Sequence, residues 1–145
     1  MTKLIKEIMN KSPKTITPDE SIHKAAGLLQ RNEISYLPVI DHNKHVIGYV
    51  HTSDILKAMC ENKDQSTHVK QIMNNSTFAL SENASIAEAS SQLAKQGLKG
   101  APTVNENNEL TGFVHVRDIE EKVPNAKMHL DQIYSSCKKN CRKAA

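Results

Sequence analysis

The sequence predicts an α+β fold built from two copies of one β-α-β-β-α unit, and three observations predict it. The chain repeats itself without a gap at an offset of 64 residues. The first copy holds an apolar i, i+3, i+4, i+7 stripe followed by two β-branched runs, and the second copy has the corresponding pieces. Each copy also closes on one motif, GYVHTSDI at 48–55 and GFVHVRDI at 112–119.

At that offset IMNKS (8–12) falls on IMNNS (72–76), and ESIHKAAGLL (20–29) on ASIAEASSQL (84–93). Between 8–56 and 72–120, 15 of 49 positions are identical, among them Pro38, Gly48, His51 and Asp54 with Pro102, Gly112, His115 and Asp118. In order, KTIT (14–17) reads as a short strand, with TFAL (77–80) as its counterpart. TPDESIHKAAGLLQRN (17–32) reads as a helix. Thr17, Pro18 and Glu20 form its expected capping start, and Ile22, Ala25, Ala26 and Leu29 its buried face. ISYLPVID (34–41) and HVIGYVH (45–51) form a hairpin around the polar HNK. TSDILKAMCEN (52–62) is a second helix opened by Thr, Ser and Asp. The corresponding pieces of the second copy are 85–96, 98–104, 110–115 and about 117–122.

A unit of roughly 50 residues is too small to bury its sheet and helices alone. Two copies are expected to pack sheet against sheet about a pseudo-two-fold axis. The expected organisation is repeat 1 at 1–64, repeat 2 at 65–122, and a helical or flexible tail at 123–145. In that tail Met128, Leu130, Ile133 and Tyr134 suggest a short amphipathic helix.

Composition excludes several classes. The 145 residues carry a net charge of +3, scattered along the chain, which argues against nucleic acid as a partner. The basic cluster CKKNCRK (137–143) reads as a solvated tail rather than an RNA or membrane contact. MTKLIKEIM lacks the apolar core of a signal peptide, and no apolar run suits a membrane span, so the expectation is a cytoplasmic protein. Cys60, Cys137 and Cys141 form no disulfide framework. Cys137 and Cys141 with His129 fall short of the four ligands of a structural zinc site, so no metal site is assigned. No Walker loop, G-x-G-x-x-G, H-E-x-x-H or nucleophile–base set is present, so no catalytic residue is assigned and the expectation is not an enzyme.

The leading IMN, the strands YLPVI and GAPTV, and the motifs GYVHTSD and GFVHVRD make the chain resemble the tandem CBS-domain module, named for cystathionine β-synthase and also called a CBS pair or Bateman module. The resemblance covers about residues 4–122. It implies a non-catalytic regulatory module with no obligatory cofactor. It also implies AMP, ADP, ATP or S-adenosylmethionine as ligand in two related clefts between the repeats, a homodimer, and a regulated partner protein of unknown identity. It further implies adenine-pocket roles for Thr15, Ile16, Tyr36, Leu37 and Pro38, and for Phe78, Ala79, Leu80, Gly100, Ala101 and Pro102.

The residue chemistry adds its own reading. A carboxylate accepts hydrogen bonds from both vicinal hydroxyls of a ribose, a role for Asp54 and Asp118 that the resemblance shares; helix capping is the alternative. Gly48 and Gly112 mark a close backbone approach, by a ligand or by the following helix. Pro38 and Pro102 remove a strand donor and mark an edge or bulge. His51 and His115 stand where the family usually has Thr or Ser, and either contact a phosphate or pack on their own strand. Thr52 and Ser53 become Val116 and Arg117, so the two sites differ, with the Arg117 guanidinium suited to a phosphate. The alternative function is a dimerisation or interaction module whose clefts have lost their ligand.

Overall fold

Two serines set the helix starts. In a computed structural model that describes residues 3–122, Ser21 Oγ accepts the Lys24 N–H (3.1 Å) and opens α1 (Ile22–Arg31). The start expected at Thr17 is a turn instead, in which the Glu20 N–H reaches the Thr17 carbonyl. Ser21 wins because its backbone is extended and its side chain reaches a free first-turn donor. In the second repeat Ser85 and Glu88 form a reciprocal capping box at the start of α3 (Ile86–Gln96), which Gly97 ends at φ 67°.

The remaining elements follow the expected order: β1 (Tyr36–Ile40), β2 (Val46–His51), α2 (Thr52–Cys60), β3 (Leu80–Ser81), β4 (Gly100–Val104), β5 (Leu110–His115) and α4 (Val116–Lys122). Short 3-10 turns occupy Ile5–Glu7 and Val69–Gln71. The KTIT segment contributes one bridge, Ile16 to Val39, rather than a strand of its own. Among the described residues no helix is long and apolar enough to cross a membrane.

The chain divides into two compact units whose membership crosses the repeats. The early unit comprises 13–78 with 108–110. The late unit comprises 79–107 and 111–122 together with the chain's start, 3–12. Each repeat therefore lends its leading IMN segment to the unit built on the other repeat.

In the early unit β1 and β2 run antiparallel, with Tyr36 opposite His51, Pro38 opposite Tyr49 and a bulge between Val39 and Ile40. Ile16 extends this sheet on the β1 side, donating to the Pro38 carbonyl (3.1 Å) and accepting from Ile40 (2.9 Å). Asn74 extends it on the β2 side, exchanging two backbone bonds with Tyr49 (2.9 and 2.8 Å). Ile22, Ala25 and Leu29 of α1 and Ile55 and Ala58 of α2 close over Leu37, Val39, Val50 and Val69. Burying each large aliphatic chain contributes about 1.5–3 kcal/mol.

The late unit has the sheet order β3-β4-β5, with β3 parallel to β4. Asn10 exchanges two backbone bonds with Phe113 (2.9 and 2.8 Å), as Asn74 does with Tyr49. Ile5, Leu80, Leu93, Ala101, Val114 and Ile119 are buried there.

The exchanged segments explain the repeated glycines. A Cβ on Gly48 would collide with the Asn74 carbonyl oxygen. One on Gly112 would lie 2.6 Å from the Asn10 carbonyl oxygen and 2.8 Å from Met9 Sδ. The close approach expected at both positions is made by the backbone of an IMN segment.

Candidate functional site

Each unit has one corner where its Gly-h-Val-His strand turns into a helix, and the two corners share a hydrogen-bond frame. In the early unit the first helical N–H, from Thr52, donates to the Ser35 carbonyl (3.0 Å). The Ser53 N–H donates to His51 Nδ1 (3.1 Å), and the His51 N–H donates to Asp54 Oδ2 (2.9 Å). In the late unit Val116 donates to the Lys99 carbonyl (2.8 Å), Arg117 to His115 Nδ1 (3.1 Å), and His115 to Asp118 Oδ2 (3.0 Å).

The histidines are thus helix caps. Accepting through Nδ1 keeps that nitrogen unprotonated and puts the proton of the neutral ring on Nε2. Only Nε2 is left to meet a ligand, and it donates. His115 is half-buried. Burial, then the Arg117 charge, and further on Lys99, hold it below the ordinary 6.5, opposed by Asp118 and Glu120. The neutral cap suits that direction.

The aspartates cap and keep capacity to spare. Each binds its own histidine's N–H through Oδ2, while Oδ1 has no hydrogen bond among the described residues. Both side chains are half-buried. An ionised carboxylate offers about four lone-pair sites, so capping and ribose binding are compatible roles.

Around the early corner Ile16, Leu37, Pro38 and Gly48 are buried, while Thr15, Tyr36, Thr52 and His51 are half-buried. The Tyr36 ring stacks on Tyr49 at 4.7 Å and 23°. Burial, then Tyr49, pushes the Tyr36 hydroxyl pKa up. Around the late corner Gly100, Ala101, Pro102 and Gly112 are buried, Ala79 is half-buried and Arg117 is exposed. Gly100 lets the Phe113 ring lie close, since a Cβ there would sit 2.8 Å from that ring. Phe78 ends the early unit and Ala79 opens the late one, so these two adjacent residues belong to different units.

Sequence reasoning passed over Ser35 and Lys99, whose carbonyls receive the first helical N–H. Their signal was their position, one residue ahead of Tyr36 and Gly100 and directly aligned with each other at the 64-residue offset. Among the described residues no three His, Cys, Asp or Glu side chains gather as a metal site. Cys137, Cys141 and His129 lie outside the described residues.

Duplicated strand–helix corners with an aspartate in the first turn define a tandem-repeat α+β module. A family model for the CBS domain matches residues 5–61 and again 69–125, so the chain belongs to the CBS-domain family and carries two tandem copies. It is 28% identical over 116 residues to L-aspartate semialdehyde sulfurtransferase of Methanocaldococcus jannaschii, covering 80% of this chain and 22% of that protein. The chain spans 22–28% of the length of that enzyme and two further curated relatives, so it matches only a part of each. The CBS domain-containing protein YhcV of Bacillus subtilis is 27% identical over 116 residues, covering 79% of this chain and 81% of YhcV. A similar structure is the CBS domain pair of protein MJ0100 in complex with 5′-methylthioadenosine and S-adenosyl-L-methionine. It aligns at a TM-score of 0.74 and 26% identity over 86% of this chain and 98% of that one.

Proposed function

We propose that this chain is a regulatory sensor of adenosine ligands (AMP, ADP, ATP or S-adenosylmethionine) rather than an enzyme. The observation that carries the reading is the uncommitted Oδ1 of Asp54 and of Asp118, in matching frames beside a buried proline strand. Each Oδ1 accepts from the ribose diol while Oδ2 stays on the helix cap. The likeness to a pair that binds methylthioadenosine and S-adenosylmethionine supports the ligand class. Ligand shifts the module by binding one conformation more tightly than another, and a partner protein reads the change. The same reading makes the protein cytoplasmic and homodimeric.

Thermal unfolding of the full chain with AMP, ADP, ATP and S-adenosylmethionine tests this. A ligand at 100 times its Kd adds about 2.7 kcal/mol of stability. Asp54→Asn and Asp118→Asn retain a capping oxygen but turn the ribose acceptor into a donor, so each loses the stabilisation from its own corner. No shift with any ligand at millimolar concentration contradicts the proposal.

One observation favours the second reading, an interaction module. On α2, Leu56 and Met59 are 61% and 66% exposed, an apolar surface that the early unit leaves uncovered. Sedimentation of Leu56→Ser/Met59→Ser against the parent chain tests it: a shift toward monomer supports an interface there.

A further inference from the structure

The two corners share every backbone bond of their frames and differ in charge. Ser35 of the early corner is Lys99 in the late one, and Ser53 is Arg117. Both pairs occupy the same frame positions, the carbonyl that receives the first helical N–H and the N–H that meets the histidine cap. All four side chains belong to exposed residues. Lys99 and Arg117 enter no ion pair among the described residues. Both cations act on the His115 ring, which puts them within electrostatic reach of one corner.

The early corner has the Asp54 carboxylate, the hydroxyls of Ser35, Thr52 and Ser53, and the Tyr36–Tyr49 stack. A phosphate placed there meets the Asp54 carboxylate with Ser35 and Ser53, rather than cations, at the two frame positions that Lys99 and Arg117 hold in the late corner. The late corner has two cations against Asp118 and Glu120, and Gly100 leaves it without the tyrosine ring. A guanidinium and an ammonium bracket phosphate oxygens with charge-assisted bonds, the Arg bidentately.

We infer that the late corner selects phosphorylated adenosine ligands through Lys99 and Arg117, whereas the early corner selects adenosine ligands without phosphate. The inference rests on the adenosine reading and adds a division of labour to it. One module thereby reports two chemically distinct pools, a nucleotide and an uncharged or sulfonium nucleoside.

Calorimetric titration of the full chain with AMP and, separately, 5′-methylthioadenosine tests the division. Asp118→Asn is expected to remove AMP binding and leave methylthioadenosine binding unchanged; Asp54→Asn does the reverse. Lys99→Ser/Arg117→Ser, both at exposed positions, weakens AMP by about tenfold or more while methylthioadenosine stays within about twofold. It also flattens the salt dependence of AMP binding. The reciprocal Ser35→Lys/Ser53→Arg brings AMP to the early corner, restoring its binding in an Asp118→Asn background. If each aspartate variant weakens both ligands alike, the division is overturned while the adenosine reading stands. If the parent chain binds neither ligand, the division is overturned, and the adenosine reading falls with it when ADP, ATP and S-adenosylmethionine also fail to bind.

Discussion

The early and late units are one fold written twice, and what they keep differs in kind from what they change. Kept are Gly48 and Gly112, His51 and His115, Asp54 and Asp118, and the asparagine that each receives from the other repeat. All of these make backbone bonds or permit them. Changed are the side chains that project from the same frame: Ser35 and Lys99, Tyr36 and Gly100, Ser53 and Arg117. The comparison teaches that duplication holds the scaffold constant while the exposed chemistry diverges.

Breaking the kept half should cost most. Gly48→Ala drives a methyl into the Asn74 carbonyl, and Gly112→Ala into Asn10 and Met9. Overpacking of this kind costs about 1–3 kcal/mol. Both variants are expected near the top of that range in chemical denaturation, because the obstructing atom is backbone. A cost below that of a surface substitution would separate the glycines from the IMN segments.

The helix caps come next. Ser21→Ala and Ser85→Ala each remove a bond to a first-turn N–H, Lys24 and Glu88, and should cost about 1 kcal/mol apiece. Thr17→Ala is expected to cost less, since Thr17 meets the Glu20 N–H through its carbonyl, which alanine keeps.

The smallest effect is the pH dependence of the late corner. His115 is held below its ordinary 6.5 in the folded state by burial and by Arg117 and Lys99, with Asp118 and Glu120 pulling the other way. The unfolded chain therefore binds this proton more readily, so stability rises with pH in that window. The contribution is complete above about 7 and is lost as pH falls through 6.5 toward the lowered folded value. His115→Asn offers a capping oxygen that does not titrate, and should flatten this part of the stability profile. An unchanged profile between pH 5 and 7 would remove His115 as its source.

Much of this was legible in the sequence. The apolar stripe at Ile22, Ala25 and Leu29 located α1 and its buried face, and β5 fell on its expected 110–115. Thr17 was misread because Thr-Pro-x-Glu suits a turn as well as a capping box, and only the chain's path chooses between them. The exchange of IMN segments was not legible, because a constant offset aligns them identically whichever repeat they pack on. Gly48 and Gly112 were its trace, read as room for something without saying what. The aspartates stood out by type and spacing. Histidine caps did not, since imidazole is an uncommon cap and its Nδ1 role depends on a ring orientation that sequence does not specify. Lys99 was missed because its contribution arises only when the Val116 N–H fixes its carbonyl beside the cap.

The central claim is that the free carboxylate oxygen of each corner reads a ribose. Titrating the full chain with AMP and with 2′-deoxy-AMP tests it most directly. Loss of one of the two hydroxyls that a carboxylate accepts should weaken binding about tenfold or more. Asp118→Asn should bind neither nucleotide. Equal affinity of the parent chain for AMP and 2′-deoxy-AMP would contradict the account.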